Sequence, residues 1–146
     1  MNIRQISVLM ARIALFVIYF WFGLLKVIGL SPASPMVTAL FKVTMSPMLE
    51  MIHMPYSMSP SLFVIAFGVF ETLLGVLFLI PRFEKAAIAL FFVHMTTTAL
   101  PLFVLGSEVW TRPFVPTLEG QYILKNLALI ACVLSVWSIL PQKQTS

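Results

Sequence analysis

Four long apolar runs fill most of this 146-residue chain, and each carries ionisable or hydrogen-bonding residues along one helical face. The runs cover residues 7–30, 61–80, 86–105 and 121–140, and each is close to the roughly 20 residues that cross about 30 Å of hydrocarbon as a helix. Only 10% of the residues are charged, against about a quarter in soluble domains. We therefore predict an all-α, polytopic protein, a single domain over residues 1–146 whose four transmembrane helices form a bundle in contact with membrane lipid.

The distribution of basic residues predicts the orientation of this bundle. They concentrate at the two termini and between the second and third runs, at Arg4, Arg12, Arg82, Lys85 and Lys143. The connections on the other side hold mainly Lys42 and Arg112. Because cytoplasmic segments collect Lys and Arg, we expect a multi-pass protein of the cytoplasmic (inner) membrane with both termini in the cytoplasm. The chain has no run of basic residues, which argues against a nucleic-acid partner.

The connection over residues 31–60 is the longest one and lies on the outer side in this topology. Ser46-Pro47 resembles a helix start, with serine as the N-cap and proline at the first helical position, and Pro55 would end that helix. We expect a short interfacial helix in this first outer loop.

Polar and small residues recur at helical spacing in the first two runs. Arg12, Tyr19 and Lys26 follow one another every seven residues, with Gly23 beside them. The second run places small and polar residues within about 60° of one another, at 100° per residue: Gly68, Glu71, Thr72 and Gly75. Small residues allow close approach of helix backbones, so we expect this second helix near the centre of the bundle.

The third and fourth runs carry similar stripes. His94, Thr97, Thr98 and Pro101 share one face of the third, and the threonines are expected to bond the carbonyls freed by Pro101, giving a kink toward the outer end. The fourth carries polar or small residues that we expect to face inward: Gln121, Lys125, Ala128 and Cys132.

Lys26, Glu71 and Lys125 give the strongest functional signal, because a charge within the hydrocarbon costs at least about 2.5 to 3.5 kcal/mol and persists when it is paired or functional. At 1.5 Å per residue, Lys26 is expected about 6 Å below the outer end of its helix and Glu71 about 15 Å below. We predict a polar pocket in the outer half of the bundle, with Glu119 at its rim. The complete set of predicted pocket residues is Tyr19, Lys26, Glu71, His94, Glu119, Gln121 and Lys125.

Each signal also has a structural interpretation. The charges can simply pair and fix helix packing, and His94 can be a hydrogen-bonded interior histidine rather than a proton relay or quinone contact. In the outer loop, Met48, Met51, His53 and Met54 form a weaker candidate site for Cu(I), because thioethers and imidazole suit that ion. Methionine is also a common apolar filler of interfacial helices.

Three segments resemble the DoxX-like membrane proteins, and particularly their reactive-chlorine-resistance branch. The segments are YFWFGLLK over residues 19–26, preceded by Arg12, FETLLG over 70–75, and EGQYILKN over 119–126. The resemblance covers nearly the whole chain and implies a four-helix membrane bundle linked to redox physiology. It includes Lys26, Glu71, Glu119 and Lys125, whereas His94 and the methionine cluster are not part of it.

The functional expectation is a quinone-linked redox or oxidative-stress membrane subunit. The sequence shows no flavin, haem or iron-sulfur motif, so the expected ligand is a bound quinone and the electron-transfer centre would belong to an oxidoreductase partner subunit. Whether the chain is itself an enzyme is left open. The alternatives are a non-catalytic membrane scaffold or assembly subunit, an outer-face copper-handling protein and a small-solute transporter. A homodimer is compatible with each of them.

Overall fold

The computed structural model describes residues 2–51 and 59–138, and helices dominate this part of the chain. The helices are α1 (Ile3–Val27), α2 (Ser34–Met51), α3 (Pro60–Leu79), α4 (Glu84–Ala99), α5 (Pro101–Val104), α6 (Gly106–Val109) and α7 (Leu118–Trp137). A 3-10 turn, Pro81–Phe83, precedes α4. Two short antiparallel strands, β1 (Trp110–Arg112) and β2 (Val115–Pro116), form a hairpin before α7.

Four helical segments are long and apolar enough to cross a membrane: α1, α3, the segment Pro81–Val104 that contains α4 and α5, and α7. The predicted all-α polytopic bundle is therefore confirmed, with span boundaries within a few residues of those expected for the second and third runs. We call the side on which α1 ends, α3 begins and α2 lies the α2 side of the bundle. Arg4 near the start of α1 donates to the carbonyl of Ser138 just after α7 (2.7 Å), so both ends of the described chain lie on the opposite side.

Local capping explains where the spans begin. The Ser59 side chain accepts from the Leu62 backbone N–H, and Pro60 occupies the first position of α3, where a missing N–H costs nothing. The Thr117 hydroxyl accepts from the Gly120 N–H at the start of α7.

The first outer helix differs from the one predicted. Helix α2 begins at Ser34 rather than at Ser46, and Pro47 lies inside it. Pro35 occupies its first turn, where proline is tolerated, and an apolar face formed by Val37, Leu40 and Phe41 packs it onto the bundle. The Phe41 ring lies 5.0 Å from that of Phe63 in α3. The start signal at Ser46-Pro47 was therefore misleading because an earlier serine-proline start and an apolar stripe extend the helix upstream. Pro55 lies outside the described residues.

The third span breaks where proline predicts it. Helix α4 ends at Ala99 and α5 begins at Pro101. The Thr97 carbonyl, which a residue at position 101 would ordinarily bond, accepts from the Leu100 N–H (3.3 Å). The hydroxyls of Thr97 and Thr98 instead bond the carbonyls of Val93 and Met95, so the expectation that threonines satisfy the carbonyl freed by proline is wrong.

Helices α1 and α3 pack with their backbones in close approach at glycines. A Cβ atom at Gly68 would lie 2.6 Å from Lys26 Cβ and 2.7 Å from the Gly23 carbonyl oxygen. A Cβ at Gly75 would lie 2.8 Å from the backbone nitrogen of Phe20. The predicted small-residue contact is thus present, and it holds the buried faces of the two helices together.

Helix α7 faces the bundle with apolar residues, contrary to expectation. Its buried residues are Gly120, Ile123, Val133 and Val136, whereas the predicted inward stripe of Gln121, Lys125 and Ala128 is exposed and Cys132 is half-buried. Lys125 lies seven residues into the helix, about 10 Å from its start. A lysine at that depth reaches the membrane surface with its flexible stem, so its charge does not force the face inward.

Prediction for the α1–α3 contact. Gly68→Ala should lower the melting temperature of the purified protein in detergent, with an overpacking cost of about 1 to 3 kcal/mol that outweighs the gain of roughly 1 kcal/mol from helix propensity. Gly106→Ala is the matched control, since nothing lies within 4 Å of a Cβ there. Equal melting temperatures for the two variants would contradict the close helix contact.

Candidate functional site

Four side chains from three helices form one continuous hydrogen-bonded network, which we call the relay cluster: Tyr19 and Lys26 of α1, Glu71 of α3 and His94 of α4. Lys26 Nζ donates to Glu71 Oε2 at 2.5 Å. The other carboxylate oxygen, Oε1, lies 3.0 Å from His94 Nε2. His94 Nδ1 in turn lies 3.2 Å from the Tyr19 hydroxyl oxygen.

All four members are buried, each with 5% or less of its surface exposed. The local sequence explains why: Tyr19, Gly23 and Lys26 share the buried face of α1, and Gly68, Glu71 and Gly75 share that of α3. The glycine contact therefore brings Lys26 and Glu71 into register. His94 enters from α4, on a face that also buries Phe91 and Met95.

The carboxylate sets the proton positions in the network. When Glu71 is ionised it only accepts hydrogen bonds, and His94 Nε2 is then the donor to Oε1. In a neutral imidazole Nδ1 is then the acceptor, and the Tyr19 hydroxyl donates to it. Lys26 forms an ion pair with Glu71, and removing either partner would leave an uncompensated buried charge.

Aromatic rings surround the histidine. The rings of Phe67 and Phe70 lie nearly parallel to His94, with centroids 5.1 and 5.8 Å away, and the Tyr19 ring meets it edge-on at 5.2 Å. Lys26 Nζ is 6.0 Å from the Phe67 centroid. The polar atoms of the relay cluster are thus held against planar apolar walls.

The cluster lies deeper than the length of α1 alone suggests. Gly68 is level with Lys26 Cβ and is eight residues after Pro60, about 12 Å along α3. Lys26 was expected about 6 Å below the end of its own helix but lies one residue before it, because α1 ends at Val27 and not at Leu30. The cluster is nevertheless deep relative to α3, since α1 ends well below the start of α3. Helix α2 packs against the part of α3 that extends beyond α1, through the contact between Phe41 and Phe63.

Three predicted pocket residues lie elsewhere. Lys125, Glu119 and Gln121 are exposed on α7, and Lys125 Nζ lies 5.1 Å from the Tyr122 ring centroid rather than near Glu71. The prediction that Lys125 joins Lys26 and Glu71 is therefore wrong. Glu71 has His94 as its second partner in place of the second lysine.

A second, partly buried ion pair lies toward the opposite side of the bundle and was not predicted. Arg12 Nη2 contacts Glu84 Oε1 at 2.5 Å, and Glu84 is buried at the start of α4. One sequence signal pointed to it: Arg12 lies on the same seven-residue repeat as Tyr19 and Lys26. Glu84 lies in the short connection between the second and third apolar runs, where nothing in the sequence marks it as buried.

The methionine candidate is only partly described. Met48 and Met51 are exposed on α2, whereas His53 and Met54 lie outside the described residues. Within residues 2–51 and 59–138, no group of three or more His, Cys, Asp or Glu side chains is placed to hold a metal ion. The Cu(I) interpretation stays a prediction.

The chemistry available at the relay cluster is proton transfer. The His94 Nδ1 accepts a proton from a hydroxyl while Glu71 stabilises the imidazolium through Nε2–H, which is how a general base is oriented and strengthened.

Comparison with protein-family models, with curated proteins and with solved structures finds no match to this chain. The resemblance to the DoxX-like family therefore stays a prediction, and the relay cluster stands on its geometry alone.

Prediction for the buried ion pair. Lys26→Met leaves the Glu71 carboxylate with a lost partner in a buried position, and breaking such a pair costs about 3 to 5 kcal/mol. Thermal unfolding in detergent should show a large loss of stability, whereas Lys125→Met, which removes an exposed lysine, should change little. The double variant Lys26→Met with Glu71→Leu should recover much of the loss. Similar losses for the two lysine variants would contradict the assignment of Lys26 as the buried partner.

Proposed function

We propose that the protein is a quinone-linked redox membrane subunit in which the relay cluster exchanges protons with a quinone or quinol headgroup. The observation that carries the proposal is the continuous path from the Tyr19 hydroxyl through both nitrogens of His94 to the Glu71 carboxylate. Quinone reduction consumes two electrons and two protons. In this proposal the chain transfers protons only. The electrons pass through a partner oxidoreductase subunit.

The groups around His94 suit such a headgroup. Quinone carbonyls accept hydrogen bonds, and the Lys26 ammonium is a donor with three protons, one of which it shares with Glu71. Phe67 and Phe70 lie nearly parallel to the His94 ring and offer flat apolar surfaces for a planar ring. Exposed apolar residues cover the spans, so an isoprenoid tail is readily accommodated in the surrounding lipid.

The expected position of the ligand follows from the hydrogen bonds. Glu71 is occupied on both oxygens, whereas the Tyr19 hydroxyl uses only its proton within the cluster and keeps acceptor capacity. A quinol hydroxyl that donates to the Tyr19 oxygen would complete the chain. Its proton then replaces the one that Tyr19 passes to His94.

Prediction for quinone binding. A short-chain benzoquinol, kept reduced, should bind saturably to protein reconstituted in nanodiscs, as measured by titration calorimetry. Tyr19→Phe removes the hydroxyl but keeps the ring, and it should weaken binding about tenfold, the worth of one hydrogen bond of roughly 1.4 kcal/mol. Lys125→Met is the control and should bind like the parent protein. Absence of saturable binding to the parent protein, or equal affinity of Tyr19→Phe, would refute the proposal.

A second candidate function is a non-catalytic scaffold subunit of a larger membrane complex. The observation that favours it is that the carboxylate of Glu71 has a partner on each oxygen, as expected of a purely structural network. Native mass spectrometry of gently solubilised membranes distinguishes the two functions: a scaffold carries a stoichiometric protein partner and no quinone, whereas the redox subunit retains quinone mass.

A further inference from the structure

We infer that the relay cluster is a one-sided proton path, which exchanges protons with the α2 side of the membrane and is closed toward the opposite side. The inference rests on the proposed proton function and deepens it by naming the face that supplies or receives the protons. It follows from the order of the cluster along the bundle and from the different surroundings at its two ends.

The cluster has a direction along the bundle axis. Tyr19 precedes Lys26 by seven residues in α1, so its Cα lies about 10 Å further from the α2 side. The ion pair of Glu71 with Lys26 is therefore the end of the path nearer the α2 side, and the Tyr19 hydroxyl is the inner end.

The path is closed below Tyr19 by tightly packed hydrocarbon. The Tyr19 ring contacts those of Phe78 and Phe91, at centroid distances of 6.3 and 6.0 Å. The surrounding layer consists of side chains with 2% or less of their surface exposed: Leu15, Leu74, Phe78, Ala87, Phe91, Val133 and Val136. Such a layer has no group that can hand on a proton. The next polar pair, Arg12 with Glu84, lies another seven residues along α1, about 10 Å beyond Tyr19.

Polar atoms continue toward the α2 side. Ser31, which follows the end of α1, is buried, and the Ser34 hydroxyl at the start of α2 is buried without a hydrogen-bond partner. Lys26 lies one residue before the end of α1, and Ser31 follows four residues after that end. The side of the cluster toward α2 is therefore the one on which hydroxyl groups continue beyond the ion pair, and we infer that water reaches the cluster from there.

The hydrogen bonds also define the proton step. The Oη–H bond of Tyr19 breaks as Nδ1–H forms on His94, and the Nε2–H bond breaks as a new O–H bond forms on Glu71 Oε1. The proton lost by Tyr19 is replaced by one from the quinol hydroxyl, so the net change is transfer of one proton from quinol to the Glu71 carboxylate. No electron moves in this step. From Glu71 the proton leaves past Lys26 toward the α2 side.

Four titratable groups meet in the cluster: Tyr19, Lys26, Glu71 and His94. Among the ion pairs and side-chain hydrogen bonds of the described residues, those that reach the cluster come from α1, α3 and α4 alone. Thr72 beside them donates its hydroxyl to the Gly68 carbonyl. The proton path therefore has one exit, which passes the Lys26–Glu71 pair.

Prediction for sided access. In a Cys132→Ala background, Phe67→Cys should lose its free thiol when a membrane-impermeant methanethiosulfonate reagent reaches the α2 side of sealed vesicles. It should keep the thiol when the reagent reaches only the other side. Reaction requires a solvated thiolate and so reports water beside His94. Glu119→Cys and Arg82→Cys, both exposed, mark the two faces, and Ala87→Cys in the apolar layer should stay unmodified from either side.

Modification of position 67 from the Arg82 face, or from neither face, would overturn the one-sided path. If Phe67→Cys fails to fold, Thr72→Cys, which is half-buried and outside the relay cluster, takes its place under the same criterion. The assay contains no quinone, so its failure leaves quinone binding open. A protein with sided access that binds no quinone would instead refute the proposed function alone.

Discussion

The structure depends on the cost of placing Lys26 and Glu71 in a low-dielectric interior. Neither charge is stable there alone, and the pair is tolerated because both groups find partners at hydrogen-bonding distance. This requirement fixes the register of α1 against α3, since a shift by one residue along either helix would separate the atoms. His94 then extends the requirement to α4, so three of the four spans are aligned by one set of polar contacts.

Close packing of α1 against α3 brings the charged groups within reach of each other. Gly23 and Gly68 let the two backbones approach closely enough for a lysine and a glutamate to meet below the end of α1. The cost of breaking the ion pair and the cost of overpacking the glycines therefore belong to the same interface. The rings of Phe67 and Phe70 give the histidine of that interface an apolar lining from α3.

The spans, the polar face of α1 and the small-residue face of α3 could be predicted because hydrocarbon leaves few choices: helices must satisfy their own backbone, and deep charges must face inward. The same rule gave a wrong prediction for Lys125, because a long side chain near a helix end can reach the membrane surface. The buried face of α7 is instead formed by apolar residues such as Ile123 and Val133. The partners of these buried charges lie far away in the sequence. Neither the contact of His94 with Glu71 nor that of Arg12 with Glu84 is visible in local sequence.

The two ion pairs of α1 have a consequence for biosynthesis. Arg12 and Lys26 both belong to α1, whereas their partners lie 72 and 45 residues later in the chain. During synthesis α1 therefore carries two uncompensated cations, and its insertion is stabilised only when α3 and then α4 emerge. The acidic counterparts follow α1 in the chain, so the ion pairs that align α1 with its neighbours form only after α3 and α4 have been made.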